Sequence, residues 1–298
     1  MSTVLQPRLP TAQLSRLNDY LAEYRDLFAR ADQARSFGLY VRGLLDGDHR
    51  KNVESIADRL RDADSPSDLA QSLQHFVTQS PWDTSRVLAR YRTLIRPSTT
   101  THTWVVHDGI VPKKGRSSVG VQRQFARSLG RKVNCQVAVI LSEVNGSAAP
   151  LIGRLYLPAF WLRENQEQAE RTIPEGNRRP LSKTEVALEL LDELLPEGRP
   201  TQLFAEESYL SAADFHDGVA QRGISLQASG AEVGTGIRMA RECFDYVKEV
   251  IGLSHFEGRT WVGWHHHLAL VLAAFGYVIR TGNSEADLDE SIQSLPAK

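Results

Sequence analysis

At 298 residues, 41% hydrophobic and 24% charged, the chain has the composition of an ordinary globular protein, long enough for one large domain or a core plus a helical appendage. Its 35 Lys and Arg against 36 Asp and Glu leave a net charge of -1, which excludes the global basic surplus of a protein that wraps nucleic acid and argues mildly against DNA as a ligand. No apolar run approaches the roughly 20 residues that span a bilayer, and the first residues lack a basic stretch followed by an apolar one. A cytoplasmic protein with no membrane partner is expected, its Cys135 and Cys243 reduced and buried.

Residues 12–96 read as helices. Leu14, Leu17, Leu21, Tyr24 and Phe28 recur at helical spacing, Ser65-Pro66 opens a helix through Leu69, Leu73 and Phe76, and Ser80 to Asp83 forms a turn and cap before Val87, Leu88 and Tyr91. Pro97 and the run Ser98 to Thr101 break the pattern. The period then changes to that of strands at Thr103–His107, Cys135–Leu141 and Leu151–Leu157. A helix over Lys183–Leu195, a strand over Gln202–Glu206, a helix over Ala212–Gln221 and a strand over Ile224–Gln227 follow. The glycine-rich stretch Ala228–Gly236 reads as a linker, and helices at Ile237–Ile251 and Trp261–Ile279 close the chain before a polar tail. This order predicts an α/β fold: a mixed five-stranded sheet flanked by helices (98–282), behind a helical N-terminal domain (1–97) and ahead of the tail (283–298).

Several blocks resemble one group of bacterial insertion-sequence transposases of the DDE type. They are W-V-V-H-D-G-I-V-P-K-K-G from Trp104 to Gly115, S-V-G-V-Q-R-Q from Ser118, N-C-Q-V from Asn134, L-Y-L-P from Leu155 with Trp161, and S-K-T from Ser182. Near the end, G-L-S-H-F-E-G-R-T-W-V-G-W-H-H-H runs from Gly252 to His267. G-L-L from Gly43, R-K-N from Arg50 and S-P-W-D from Ser80 match in the helical region. The resemblance covers most of the chain in the family's order and implies a ribonuclease-H-like catalytic domain. Such enzymes cut and join DNA with two metal ions held by three carboxylates, since Mg²⁺ takes hard oxygen ligands.

Carried over residue by residue, the resemblance puts the first acid at His107, with Asp108 next to it. Neighbours on a strand point to opposite faces, so Asp108 replaces the lost acid only if a one-residue deletion before Pro112 shifts the register. At His107 a satisfied strand-end histidine and a general acid or base weigh about equally. The second acid falls on Glu206, one methylene longer than the family's aspartate. Glu207 beside it reads as solvated more readily than as the partner of a split acid pair. The third, seven residues before Lys248, falls on Arg241, which cannot ligate a cation, and Glu242 is turned away by about 100°. The family also inserts a long, largely β segment where this chain has only its glycine-rich stretch, which implies an opened cleft.

Consecutive histidines at 265–267 diverge around a helix and cannot share one ion, so packing is the better reading. Lys113, Lys114 and Arg116 make a basic loop that binds an anion or is merely solvated. No metal site and no cofactor are expected. The leading expectation is a repurposed, metal-independent acid–base enzyme: His107, Glu206, Arg241 and Asp108 would act on a small molecule, with Lys113, Lys114, Glu207 and Glu242 nearby. The alternatives are a protein that only binds DNA or regulates a transposase, and a decayed transposase; ancestry does not fix the chemistry.

Overall fold

The computed structural model describes residues 11–47, 49–61, 68–96, 102–126 and 130–281. The helix start expected at Ser65-Pro66, the break from Pro97 to Thr101, the side chain of Leu14 and the polar tail lie outside the described residues.

The chain divides into two compact units, one of residues 1–96, 249–256 and 266–298, the other of residues 97–248 and 257–265. In the first unit the helical periodicity becomes α1 (Thr11–Ala22), α2 (Ala31–Leu45), α3 (Val53–Leu60), α4 (Leu69–Thr78) and α5 (Thr84–Ile95). Asn52 and Asp83 cap α3 and α5 by accepting from the backbone N–H groups of Ser55 and Ser85 at 3.0 and 2.8 Å. Leu17, Tyr24 and Phe28 are buried, as their spacing predicts, and Tyr20 and Phe37 join them, while Leu21 is only partly buried.

The helical unit takes in more than the sequence assigns to it. Its additional residues are 249–256 and the C-terminal helix (Trp261–Thr281) from His266 onward. That helix is apolar on every side from Leu268 to Phe275, so it cannot lie on a surface. It is long and apolar enough to cross a membrane by length and composition, with a mean hydropathy of 1.3, but 83% of that window is buried here, as in a core helix. The Tyr20 hydroxyl donates to Ala273 O at 2.7 Å, and His266 stacks on Trp82 with ring centroids 3.9 Å apart. His266 also lies 2.8 Å from Val77 O, while His267 meets Gly252 O and the Tyr40 hydroxyl. In the second unit, His265 Nε2 accepts from the Leu155 N–H at 3.4 Å. The three rings point to separate partners, as helical geometry requires.

The second unit is built on a six-stranded mixed sheet of ribonuclease-H-like type. It comprises β1 (Thr103–Pro112), β2 (Gln122–Ala126), β3 (Arg131–Asn145), β4 (Ser147–Leu155), β5 (Gln202–Ala205) and β6 (Leu226–Gln227). The order is β2-β3-β1-β5-β6, with β4 also paired to β3; β1 runs antiparallel to β3 and parallel to β5. Five strands were expected. The sixth, β2, carries Gln, Arg and Gln instead of an apolar run and exists through its pairing with β3. Gly146, at φ 70°, makes the tight turn from β3 to β4.

The connecting helices are α6 (Ala159–Glu164), α7 (Gln166–Thr172), α8 (Lys183–Leu194), α9 (Glu207–Leu210), α10 (Ala213–Gln221) and α11 (Ala231–Tyr246). Ser182 opens α8 with a capping box to Glu185, which fixes the position of Lys183 in the first turn. The glycine-rich stretch is not a linker: α11 starts inside it at Ala231. A Cβ at Gly236 would stand 2.8 Å from the Phe204 ring, so the glycine is there for close helix–sheet packing. Val105, Phe204, Val233 and Ala240 form the core on that face of the sheet, and Ile110, Ala126, Cys135 and Val137 a second cluster.

Candidate functional site

Alternation along β1 decides which residues can meet. Val105, His107 and Gly109 face α11: the His107 ring lies edge-on to Phe244 at 5.9 Å, and a Cβ at Gly109 would collide with Phe244 at 2.5 Å. Asp108 points the other way. One of its carboxylate oxygens accepts from the Tyr209 hydroxyl at 2.8 Å, and the other takes the Lys183 ammonium at 2.5 Å.

Glu206 follows β5 directly and is the residue before α9. The Glu206 N–H donates to Val106 O at 3.1 Å, which sets the end of β5 beside the middle of β1. One Glu206 oxygen accepts from the backbone N–H of Asp108 at 3.2 Å, and the other lies 3.5 Å from Arg241 Nε on α11. Burial, with the negative charge of Asp108 nearby, holds the Glu206 carboxyl above the usual carboxylate range. The Lys183 ammonium also sits over the Tyr156 ring, 5.7 Å from its centre. Burial and the carboxylate of Asp108 push the Tyr209 hydroxyl well above its ordinary range, so it stays a hydrogen-bond donor. The result is two neighbouring carboxylates, each in contact with one cation, a charge-balanced cluster.

Of the residues expected at this site, the structure gathers Asp108, Glu206 and Arg241. His107 does not join them. It is fully buried, its Nε2 lies 2.9 Å from the Ser142 hydroxyl, and desolvation drives its pKa down to about 4. An imidazole with no exposed surface cannot meet a small molecule beside Glu206 and Arg241, so the expected acid–base set does not assemble around His107. Glu207 is exposed on α9, and Glu242 faces Arg238 one turn back on α11 at 3.2 Å. Lys113 and Lys114 lie beyond the end of β1, where the Lys113 N–H donates to Asn134 O. Lys113 is partly buried and its ammonium is dragged down to about 8, with Glu257 opposing the shift; Lys114 is exposed.

Three residues of the cluster were missed: Lys183, Tyr209 and Tyr156. Lys183 and Tyr156 lie in blocks that carry the family resemblance and Tyr209 follows Glu206 by three residues, but only tertiary contact gives each a role. Both cysteines are free and buried, as expected. Among the described residues no group of three or more His, Cys, Asp or Glu is arranged to hold a metal ion.

A mixed sheet with one acid on its first strand and another just past its fifth is the layout of nucleic-acid-processing enzymes of the ribonuclease-H type. The family description "DDE superfamily endonuclease" matches residues 23–229, and the chain belongs to that family. Over 179 residues it is 28% identical to the probable transposase for insertion sequence element IS701 of Microchaete diplosiphon. The matched stretch is 58% of this chain and 44% of that relative, so the chain spans less than half the length of the transposase it matches. No solved structure matches the chain.

Proposed function

We propose that this protein binds DNA in the cytoplasm through a transposase-type scaffold but does not cut it by the two-metal chemistry of its family. The observation that carries the reading is the contact of Arg241 Nε with Glu206 at 3.5 Å. By the sequence resemblance, counting seven residues back from Lys248, Arg241 falls where the third metal-binding acid is expected. A guanidinium cannot ligate a cation and repels one.

The remaining donors do not fit a pair of magnesium ions either. Two such ions about 4 Å apart need several carboxylate oxygens free to bridge them. Here both oxygens of Asp108 are taken, by Lys183 and Tyr209, and both of Glu206, by Arg241 and the Asp108 N–H. Lys183 and Arg241 supply the positive charge that metal ions would bring, so the two acids tolerate each other without them. No catalytic step through a metal follows from this arrangement.

A second reading, the metal-free acid–base enzyme, keeps one observation in its favour. Glu206 is a partly buried carboxyl with a raised pKa beside a lysine and a tyrosine, as proton-transfer groups often are. With His107 sealed away, that reading has to run on Glu206 alone, and it ranks second.

The test uses the full chain with labelled 30-base-pair DNA, followed by fluorescence anisotropy, and with supercoiled plasmid plus Mg²⁺ or Mn²⁺. Salt-sensitive binding without nicking is the expected result. Metal-dependent nicking that disappears in Asp108→Asn overturns the loss of cutting. Undetectable binding at 50 mM salt removes DNA as the ligand and leaves the acid–base reading.

A further inference from the structure

β2 stands at one end of the strand order, and the charge of the β2–β3 hairpin differs from that of the chain as a whole. From Pro112 to Ser142 the sequence contains Lys and Arg but no Asp or Glu, in a protein of net charge -1. The register of the hairpin pairs Arg123 with Asn134 and Phe125 with Lys132. Residues directly opposite in an antiparallel pair share a face, so Arg123, Phe125, Lys132 and Asn134 lie together. The other face is the packed one: Ala126 and Cys135 join the core with Ile110 and Val137.

Asn134 extends the outer face. Its side-chain amide donates to Lys113 O at 2.7 Å and Gly115 O at 2.8 Å, which holds the turn bearing Lys114 and Arg116 against the hairpin. Lys114, Arg116, Arg123 and Lys132 are all exposed, and among the described residues none of them pairs with a carboxylate. Phe125 is 58% exposed in their midst, one of two large hydrophobic side chains so exposed among the described residues.

Charges on an edge strand also serve to block edge-to-edge pairing. That purpose accounts for the arginines and lysines and is defeated by an exposed phenylalanine between them. Cations flanking an aromatic ring are instead the elements of a stacking platform for single-stranded nucleic acid. The cations track the phosphates, and the ring takes the face of an unpaired base.

We infer that the outer face of the β2–β3 hairpin is a DNA-binding surface that prefers unpaired over paired bases, with Phe125 as the stacking group and Arg123, Lys132 and the Lys114–Arg116 turn as phosphate contacts. This rests on the reading that the protein binds DNA and places that binding away from the Asp108–Glu206 cluster.

The experiment measures the affinity of the full chain for a labelled 20-nucleotide single strand and the matching duplex, across 50–200 mM salt. The unaltered protein is compared with Phe125→Ala and with the double variant Arg123→Ala, Lys132→Ala; all three positions are exposed, so the fold is kept. The single strand is expected to bind more tightly than the duplex. Phe125→Ala is expected to weaken single-strand binding roughly 5- to 150-fold, the range for loss of one base–aromatic stack. The double variant should make the dependence of log affinity on log salt shallower by about 1.4, two phosphates' worth for a single strand. Binding by the unaltered protein that neither variant changes overturns the hairpin assignment while leaving the proposed function standing. A preference for duplex, with Phe125→Ala without effect, overturns the stacking role. No binding by the unaltered protein removes both inferences together.

Discussion

His107 offers the sharpest test of whether the first strand carries a working base or a packed one. Burial lowers its pKa in the folded protein from 6.5 to about 4. The unfolded chain therefore takes up this proton first on acidification. Above pH 6.5 neither state holds it, and the group favours neither. Between about pH 6.5 and 4 only the unfolded chain is protonated, and stability falls by up to about 1.4 kcal/mol per pH unit. Integrated from pH 7 to pH 4, the loss from this one side chain is about 3 kcal/mol. Since Nε2 carries the contact with Ser142 Oγ at 2.9 Å, His107→Gln is the conservative replacement: its amide nitrogen reaches the same hydroxyl and does not titrate. Urea unfolding of both proteins at pH 7, 6, 5 and 4 cancels the contributions of every other group. The unaltered protein is expected to lose about 3 kcal/mol more than the variant over that range. Parallel stability curves, or an imidazole resonance that titrates near 6.5, refute the burial argument and restore His107 as a candidate general base.

Other consequences are open to direct measurement. Gly236→Ala sets a methyl group 2.8 Å from the Phe204 ring and is expected to cost about 1–3 kcal/mol in chemical unfolding, more than the helix-propensity gain of alanine returns. Lys183→Met leaves the partly buried Asp108 carboxylate with Tyr209 as its side-chain partner, and a loss of about 1–3 kcal/mol is expected. Adding Asp108→Asn to that variant should recover part of the loss. A double-mutant cycle with no coupling between the two positions refutes the pairing. If Arg241 excludes metal from the cluster, Arg241→Glu should gain a Mn²⁺-dependent rise in melting temperature that the unaltered protein lacks. An equal rise in both refutes the exclusion.

Local periodicity was enough to find most of the elements here. Lys183–Leu194, Ala213–Gln221 and the C-terminal helix start and stop within about two residues of their expected ends, because amphipathic spacing and caps are local properties. The ordered motif blocks likewise identified the transposase family. They pointed to Glu206 and Arg241 together, and the fold brings these two within 3.5 Å, while the strand period kept Asp108 and His107 on opposite faces.

Burial and partnership were not legible in the same way. Whether His107 or Asp108 faces the site depends on which side of the sheet α11 covers, and that is settled by Phe244 packing on His107 and Gly109. Lys183 and Tyr209 lie 75 and 101 positions from Asp108, and only chain folding brings them to its carboxylate. The glycine-rich stretch was misread for a related reason: Gly236 lowers helix propensity locally, but the helix–sheet contact it permits outweighs that cost. The sequence by itself determined the family and the order of most elements. Only the tertiary structure decided that Asp108 and Glu206 each meet a cation, because charge compensation depends on distances between residues far apart in the chain.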